Sequence, residues 1–188
     1  MTDRPIATSS RNGAVCSVDH RASEVGVKVL ERGGNAVDAA IATSAALAVT
    51  TQHMCGMGGD LFALVHHKAG GPDCLNASGR AGSGADPERL RAEGHHKMPS
   101  RGDIRSVPVP GCVDGWTALH ERHGRLPLPD LLGPAIQIAE DGFEVPPHLA
   151  KASSLVADIA GAEPYRDLHA GDRLRRPEVA RGLRSIAD

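Results

Sequence analysis

Ser78 and Arg80 have the types and placement for substrate chemistry, in the run Asn76-Ala77-Ser78-Gly79-Arg80-Ala81. They follow a predicted strand end, where functional side chains often sit. A guanidinium there can hold a carboxylate in bidentate fashion, with the hydroxyl beside it. The bland alternative is a surface arginine, one of 21 basic residues. A second candidate is the loop Cys55-Gly56-Met57-Gly58-Gly59-Asp60. Phosphate loops run strand, glycines, helix, so that a helix N-terminus faces the anion. Here the glycines follow a helix and precede a strand, and no Lys-Ser or Lys-Thr comes after them. That leaves a tight turn or a backbone wall lining a site. The pairs His66-His67 and His95-His96 invite a metal. Neighbours on a strand point to opposite faces, and no HExxH or carboxylate–histidine spacing is present. No metal site is expected. There is no GxSxG nucleophile elbow either.

The rest of the composition narrows the class. The chain has 188 residues, 21 Lys plus Arg, 23 Asp plus Glu and a net charge of −2. That balance gives no electrostatic footprint for nucleic acid or an acidic membrane. Aromatic residues are only 2%, too few for a base-stacking platform. Apolar residues make up 40%, a globular proportion, and the core must come from Ala, Val, Leu and Ile. Cys16, Cys55, Cys74 and Cys112 form no CxxC pair and no disulfide scaffold, so they read as small buried residues in a reducing compartment. The start, Met1-Thr2-Asp3-Arg4-Pro5-Ile6, has no apolar signal core, and no segment reaches the length of a membrane span. A cytoplasmic location is expected.

The positioning elements follow from patterning. Residues 1–12 read as a polar lead-in and 13–188 as one folded part. Gly13 to Val18 alternates like a short strand. Ser23 is the expected N-cap of a helix over Glu24 to Arg32, which Gly33-Gly34 terminates. Asn35 caps a second helix, Ala36 to Val49, apolar all round and therefore buried. Leu61 to His67 and Cys74 to Ala77 read as a hairpin. A short helix is expected over Pro87 to Glu93, a loop over Gly94 to Arg105 and an extended run over Ser106 to Pro110. Helices are expected over Val113 to His123, Leu128 to Asp141, Pro147 to Ile159 and Pro177 to Ala187. Hairpin strands with covering helices make an α/β class of the α+β type. The stop at Asp188, in or just after a helix, suggests a fold that continues.

Four stretches together resemble the γ-glutamyltranspeptidases. These are Gly33-Gly34-Asn35-Ala36-Val37-Asp38-Ala39-Ala40, Gly56-Met57-Gly58-Gly59-Asp60-Leu61-Phe62, Val109-Pro110-Gly111-Cys112-Val113-Asp114-Gly115-Trp116, and Pro134 to Phe143. They stand in the family's order across nearly the whole chain. The resemblance implies the N-terminal part of a large subunit, and so part of an N-terminal-nucleophile α/β/β/α sandwich. It implies a precursor that cleaves itself to expose a Thr nucleophile. That Thr would lie beyond Asp188, on a partner small subunit or C-terminal part, so no catalytic residue is assigned here. Substrates would be γ-glutamyl or related amides such as glutathione, with transfer to water or an amino acid and no cofactor. The family's carboxylate-binding arginine lies in an Asp-Phe-Arg-Glu run. Ungapped comparison puts Ser78 at that position and Arg80 two residues on. A two-residue step along a strand keeps the same face, which makes Arg80 and Ser78 the expected substrate-binding residues. Ser78-Gly79-Arg80-Ala81 is closer to the γ-glutamyltransferase-like branch with its acylase-like and amidohydrolase-like members. The alternative expectation is an inactive truncated product or a remnant that binds a small molecule or partner.

Overall fold

The computed structural model describes residues 10, 12–99, 103–156 and 159–188. Most of the polar lead-in lies outside the described residues. Seven α-helices, two short antiparallel ladders and two 3-10 turns follow one another among the described residues. They divide into two compact units, Met1–Gly56 with Leu119–Asp188, and Met57–Ala118.

The first unit is helical. Helix α1 (His20–Glu31) starts three residues before the expected N-cap. Asp19 caps it, its carboxylate accepting from the N–H groups of Arg21 and Ala22. Ser23 lies inside the helix, with its hydroxyl 2.8 Å from that of Ser17. Gly13 to Val18 forms no strand, because no partner strand lies beside it to complete a ladder. Helix α2 (Ala36–Thr50) is capped by Asn35 as expected. Val25 and Val29 of α1 and Ile41, Ala42, Ala45 and Ala46 of α2 are buried. The two helices cross closely at Gly26, where a Cβ would stand 2.3 Å from Thr43 Oγ1. Helix α5 (Leu128–Asp141) packs on α2 and on α7 (Pro177–Ala187) through Leu131, Leu132, Ala135, Ala139, Ala180 and Leu183. Phe143–Glu144 (β3) and Arg173–Leu174 (β4) pair antiparallel. These strands are too short to leave a period in the sequence. Helix α6 (Pro147–Ser153) stops short of the expected Ile159.

The buried polar groups of this unit are concentrated under α2. Asp38 is fully buried, and its carboxylate accepts from the N–H groups of Asn35 at 2.9 Å and Arg125 at 3.0 Å. Asn35 in turn donates from Nδ2 to the carbonyl of His123 at 2.6 Å. The Gly-Gly-Asn-Ala-Val-Asp stretch is therefore scaffold, tying the start of α2 to the turn before α5.

At the other end of α2 the rings of His53 and His148 lie 5.1 Å apart. Burial, and then the neighbouring His148, hold the His53 pKa below its ordinary 6.5. The folded state thus takes up this proton less readily than the unfolded chain. Its stability is unaffected above about pH 6.5 and falls as the pH drops below that value. Thermal unfolding between pH 7.5 and 5 should show the loss, and His148→Gln should reduce it. A slope unchanged by His148→Gln would remove the pair as its source.

The second unit holds the hairpin. Strands β1 (Leu61–Val65) and β2 (Asp73–Ala77) pair antiparallel with Leu61 opposite Ala77 and Val65 opposite Asp73. Alternation puts Leu61, Ala63 and Val65 on one side. Phe62 and Leu64 point the other way and stay 64% and 76% exposed. Helix α3 (Pro87–Ala92) is capped by Asp86, and the expected loop after it contains a 3-10 turn at Ile104–Ser106. Helix α4 (Cys112–His123) begins in this unit. Only Cys112 of the four cysteines is buried. Cys74 faces outward with Leu64, its partner across the ladder, Cys16 lies on the unpaired 13–18 segment, and Cys55 is exposed in the glycine loop, so the expected burial of these three is corrected. Among the described residues no helix is long and apolar enough to cross a membrane.

Candidate functional site

The site is built where β2 ends. Past Ala77 the chain leaves the ladder through an Asn76 turn, in which the Ser78 N–H donates to Asn76 Oδ1 at 3.1 Å. Gly79 then adopts φ +79°, a left-handed value. Arg80 returns to extended pairing and forms a single antiparallel bridge with Val109. Val109 donates to the Arg80 carbonyl at 2.9 Å, and Arg80 donates back at 3.3 Å. Pro108 and Pro110 have no N–H, so Val109 is the one residue of that run able to complete the bridge.

The third resembling stretch thus lands on the candidate residues. Its next residues reach the second one: the N–H groups of Gly111 and Cys112 both donate to the Gly59 carbonyl at 3.1 Å. Two glycines permit this closeness. A Cβ on Gly79 would stand 2.0 Å from Val109 O, and one on Gly111 2.3 Å from Ala77 O. At Gly115 of α4 a Cβ would meet Ala77 Cβ at 2.8 Å, so the first turns of the helix press on the start of the hairpin. The glycine loop is a tight turn, held through the Gly59 carbonyl.

Within this frame the main chain of Arg80 is pinned and its side chain is exposed. Among the described residues its guanidinium makes no ion pair or hydrogen bond, and Ser78 Oγ makes no hydrogen bond. The same-face step from Ser78 to Arg80 does not apply, because the extended run it needs is broken at Gly79. The two residues still flank one turn.

Arg105 bridges Glu93 and Asp103, and its hydrogen bonds hold the Asp103 carboxyl down at about 2. His67 lies 3.4 Å from Asp73, and both His66 and His67 follow the end of β1, not within the strand. The contribution of Val109 to Gly111 was not visible in the sequence as a site feature. The signal available was a glycine at each of two positions 32 apart, one next to Arg80 and one behind Pro110.

The γ-glutamyltranspeptidase family model matches residues 22–188. The chain belongs to the γ-glutamyltranspeptidase family. It is 37% identical over 184 residues to the glutathione hydrolase-like YwrD proenzyme of Bacillus subtilis, covering 93% of this chain and 35% of that protein. The γ-glutamyltranspeptidase of Helicobacter pylori superposes with a TM-score of 0.87 at 29% identity, over 96% of this chain and 55% of that one. A cephalosporin acylase from Bacillus halodurans superposes with a TM-score of 0.78 at 38% identity, over 88% of this chain and 34% of that one. The chain therefore spans about a third of the YwrD relative's length. Its mixed, helix-rich fold is part of the N-terminal-nucleophile hydrolase fold of γ-glutamyltranspeptidases. The resembling stretches divide in this family member between scaffold, at Asp38 and α5, and the Arg80 turn.

Proposed function

We propose that this chain is the N-terminal portion of a γ-glutamyltranspeptidase-like amidohydrolase. The complete enzyme cleaves γ-glutamyl or related amide bonds, and the acyl group passes to water or an amino acid. The nucleophile is an N-terminal Thr on a polypeptide segment other than residues 1–188. Its hydroxyl attacks the amide carbonyl while its own α-amine takes the proton. The amine leaves with a proton, and water or an amino acid then attacks the ester.

In this reading Arg80 binds the substrate carboxylate, with Ser78 as a second donor. The observation that carries it is the Arg80 turn, a main chain locked by Val109 with a guanidinium left uncommitted. The pinned main chain fixes where the side chain starts, and the unpaired guanidinium keeps its donors available for a carboxylate. The outward face of the hairpin supports the missing partner. Phe62, Leu64 and Cys74 leave a two-stranded ladder apolar on both sides, which suits a strand layer sandwiched by further chain.

Arg80→Ala in the processed enzyme should raise KM for a γ-glutamyl anilide and leave kcat nearly unchanged. The lost charged hydrogen bonds correspond to about 1.5–3 kcal/mol. An unchanged KM would remove Arg80 from the site. Intact-mass analysis of protein captured gently on this chain tests the partner. A companion polypeptide beginning with Thr, or a longer precursor, is expected, and a lone 19.6 kDa species would favour an inactive remnant.

A further inference from the structure

In the helical unit His53, in the turn after α2, lies against His148, in the first turn of α6. The ring centroids are 5.1 Å apart and the planes are tilted by 50°, so the rings do not stack face to face. Among the described residues neither ring makes a hydrogen bond or an ion pair, and His53 Nδ1 is buried with no partner. A buried nitrogen left bare costs free energy that a ligand would recover. Burial and the neighbouring His148 also keep His53 neutral at neutral pH, with a lone pair to offer.

We propose that His53 and His148 together hold one divalent ion of the nickel, copper and zinc group, which clips the turn after α2 to the start of α6. Imidazole suits these ions, whereas magnesium and calcium take oxygen ligands. An imidazole binds zinc at about 2.0–2.1 Å, which puts its ring centre about 3.2 Å from the ion. Two such rings at a tetrahedral angle have centres about 5 Å apart. The observed 5.1 Å matches that spacing. No third histidine, cysteine or carboxylate converges with the pair among the described residues, so water takes the remaining positions. His148 is exposed, which gives the ion its way in from solvent. The two histidines come from elements far apart in the chain, so no ligand spacing in the sequence announces them. The site lies wholly within this chain and does not depend on the Arg80 reading.

The test titrates Zn²⁺ alone into the full 188-residue chain at pH 7.5 and follows the histidine ring signals by NMR. The His53 and His148 signals should shift together and saturate. Mg²⁺ should leave them in place. His148→Gln and His53→Gln should each weaken zinc binding at these rings about tenfold or more, since even losing a group behind a metal ligand costs that much. His148 is exposed, so its substitution keeps the fold and carries the test if His53→Gln does not fold. His169→Gln, at another exposed histidine of the same unit, should change nothing. Zinc should also raise the Tm of the parent and of His169→Gln, and raise it far less in His148→Gln, because an ion held only by the folded state stabilises it. Absence of saturable shifts at the two rings would overturn the site. So would the same shifts with Mg²⁺, or a zinc response that His148→Gln leaves intact or His169→Gln removes.

Discussion

Asp38→Ala is expected to destabilise the helical unit by about 3–4 kcal/mol, since it removes a buried charged acceptor and orphans its donors. Asp38 is 0% exposed. Its Oδ2 accepts from the Asn35 N–H at 2.9 Å and, at 3.4 Å, from Leu126, while Oδ1 accepts from Arg125 at 3.0 Å. Alanine leaves those N–H groups without an acceptor in a place water does not reach. It also breaks the capping box, because Asn35 Oδ1 can still cap Val37 and Asp38 but its own N–H is no longer met. Asp38→Asn should cost less than alanine and more than nothing. One oxygen survives, and the new NH2 faces an N–H donor. Lys28→Ala, on the exposed side of α1, is the control and should stay within about 0.5 kcal/mol of the parent. Urea unfolding of the three variants measures the series. A loss below about 1 kcal/mol for Asp38→Ala would mean that the turn before α5 repacks or admits water.

Asp38 also marks the limit of what residue types alone reveal. The N-cap at Asn35 and the glycines before it were legible, because capping is local and acts within four residues. The bonds from Arg125 and Leu126, about 87 residues away, were not. At α1 two cap-type residues, Asp19 and Ser23, stand four apart, and local chemistry does not choose between them. The cap is Asp19, whose carboxylate accepts from the N–H groups of Arg21 and Ala22, and Ser23 falls inside the helix that follows. Gly13 to Val18 alternates as a strand does, but alternation states only a capacity and pairing needs a neighbour. The hairpin was legible for the converse reason: its strands are consecutive, and its turn residues lie between them. At the site, Arg80 was legible by type and by its place after a strand. Its partner Val109 was not, and the strand-period argument linking it to Ser78 fails at a single glycine.

That glycine carries the second large effect. Gly79→Ala should destabilise the hairpin unit by about 3 kcal/mol or more, because backbone strain and a backbone collision add. At φ +79° an L-residue is strained wherever it stands. Here the new methyl carbon would also lie 2.0 Å from Val109 O and 3.1 Å from Val109 C. These are main-chain atoms, so no side-chain rotation relieves the contact, and the Arg80–Val109 bridge must open. Arg80 stays in the sequence but loses the frame that holds it. In the processed enzyme Gly79→Ala should therefore raise KM at least as far as Arg80→Ala does. It should also speed hydrogen exchange at the Arg80 and Val109 amides, which Arg80→Ala should leave protected. Gly82→Ala separates this from any general effect of losing a glycine. A Cβ there meets nothing within 4 Å and its φ is not left-handed, so it should be neutral or slightly stabilising. Retained amide protection with an unchanged KM in Gly79→Ala would show that something other than the bridge positions Arg80.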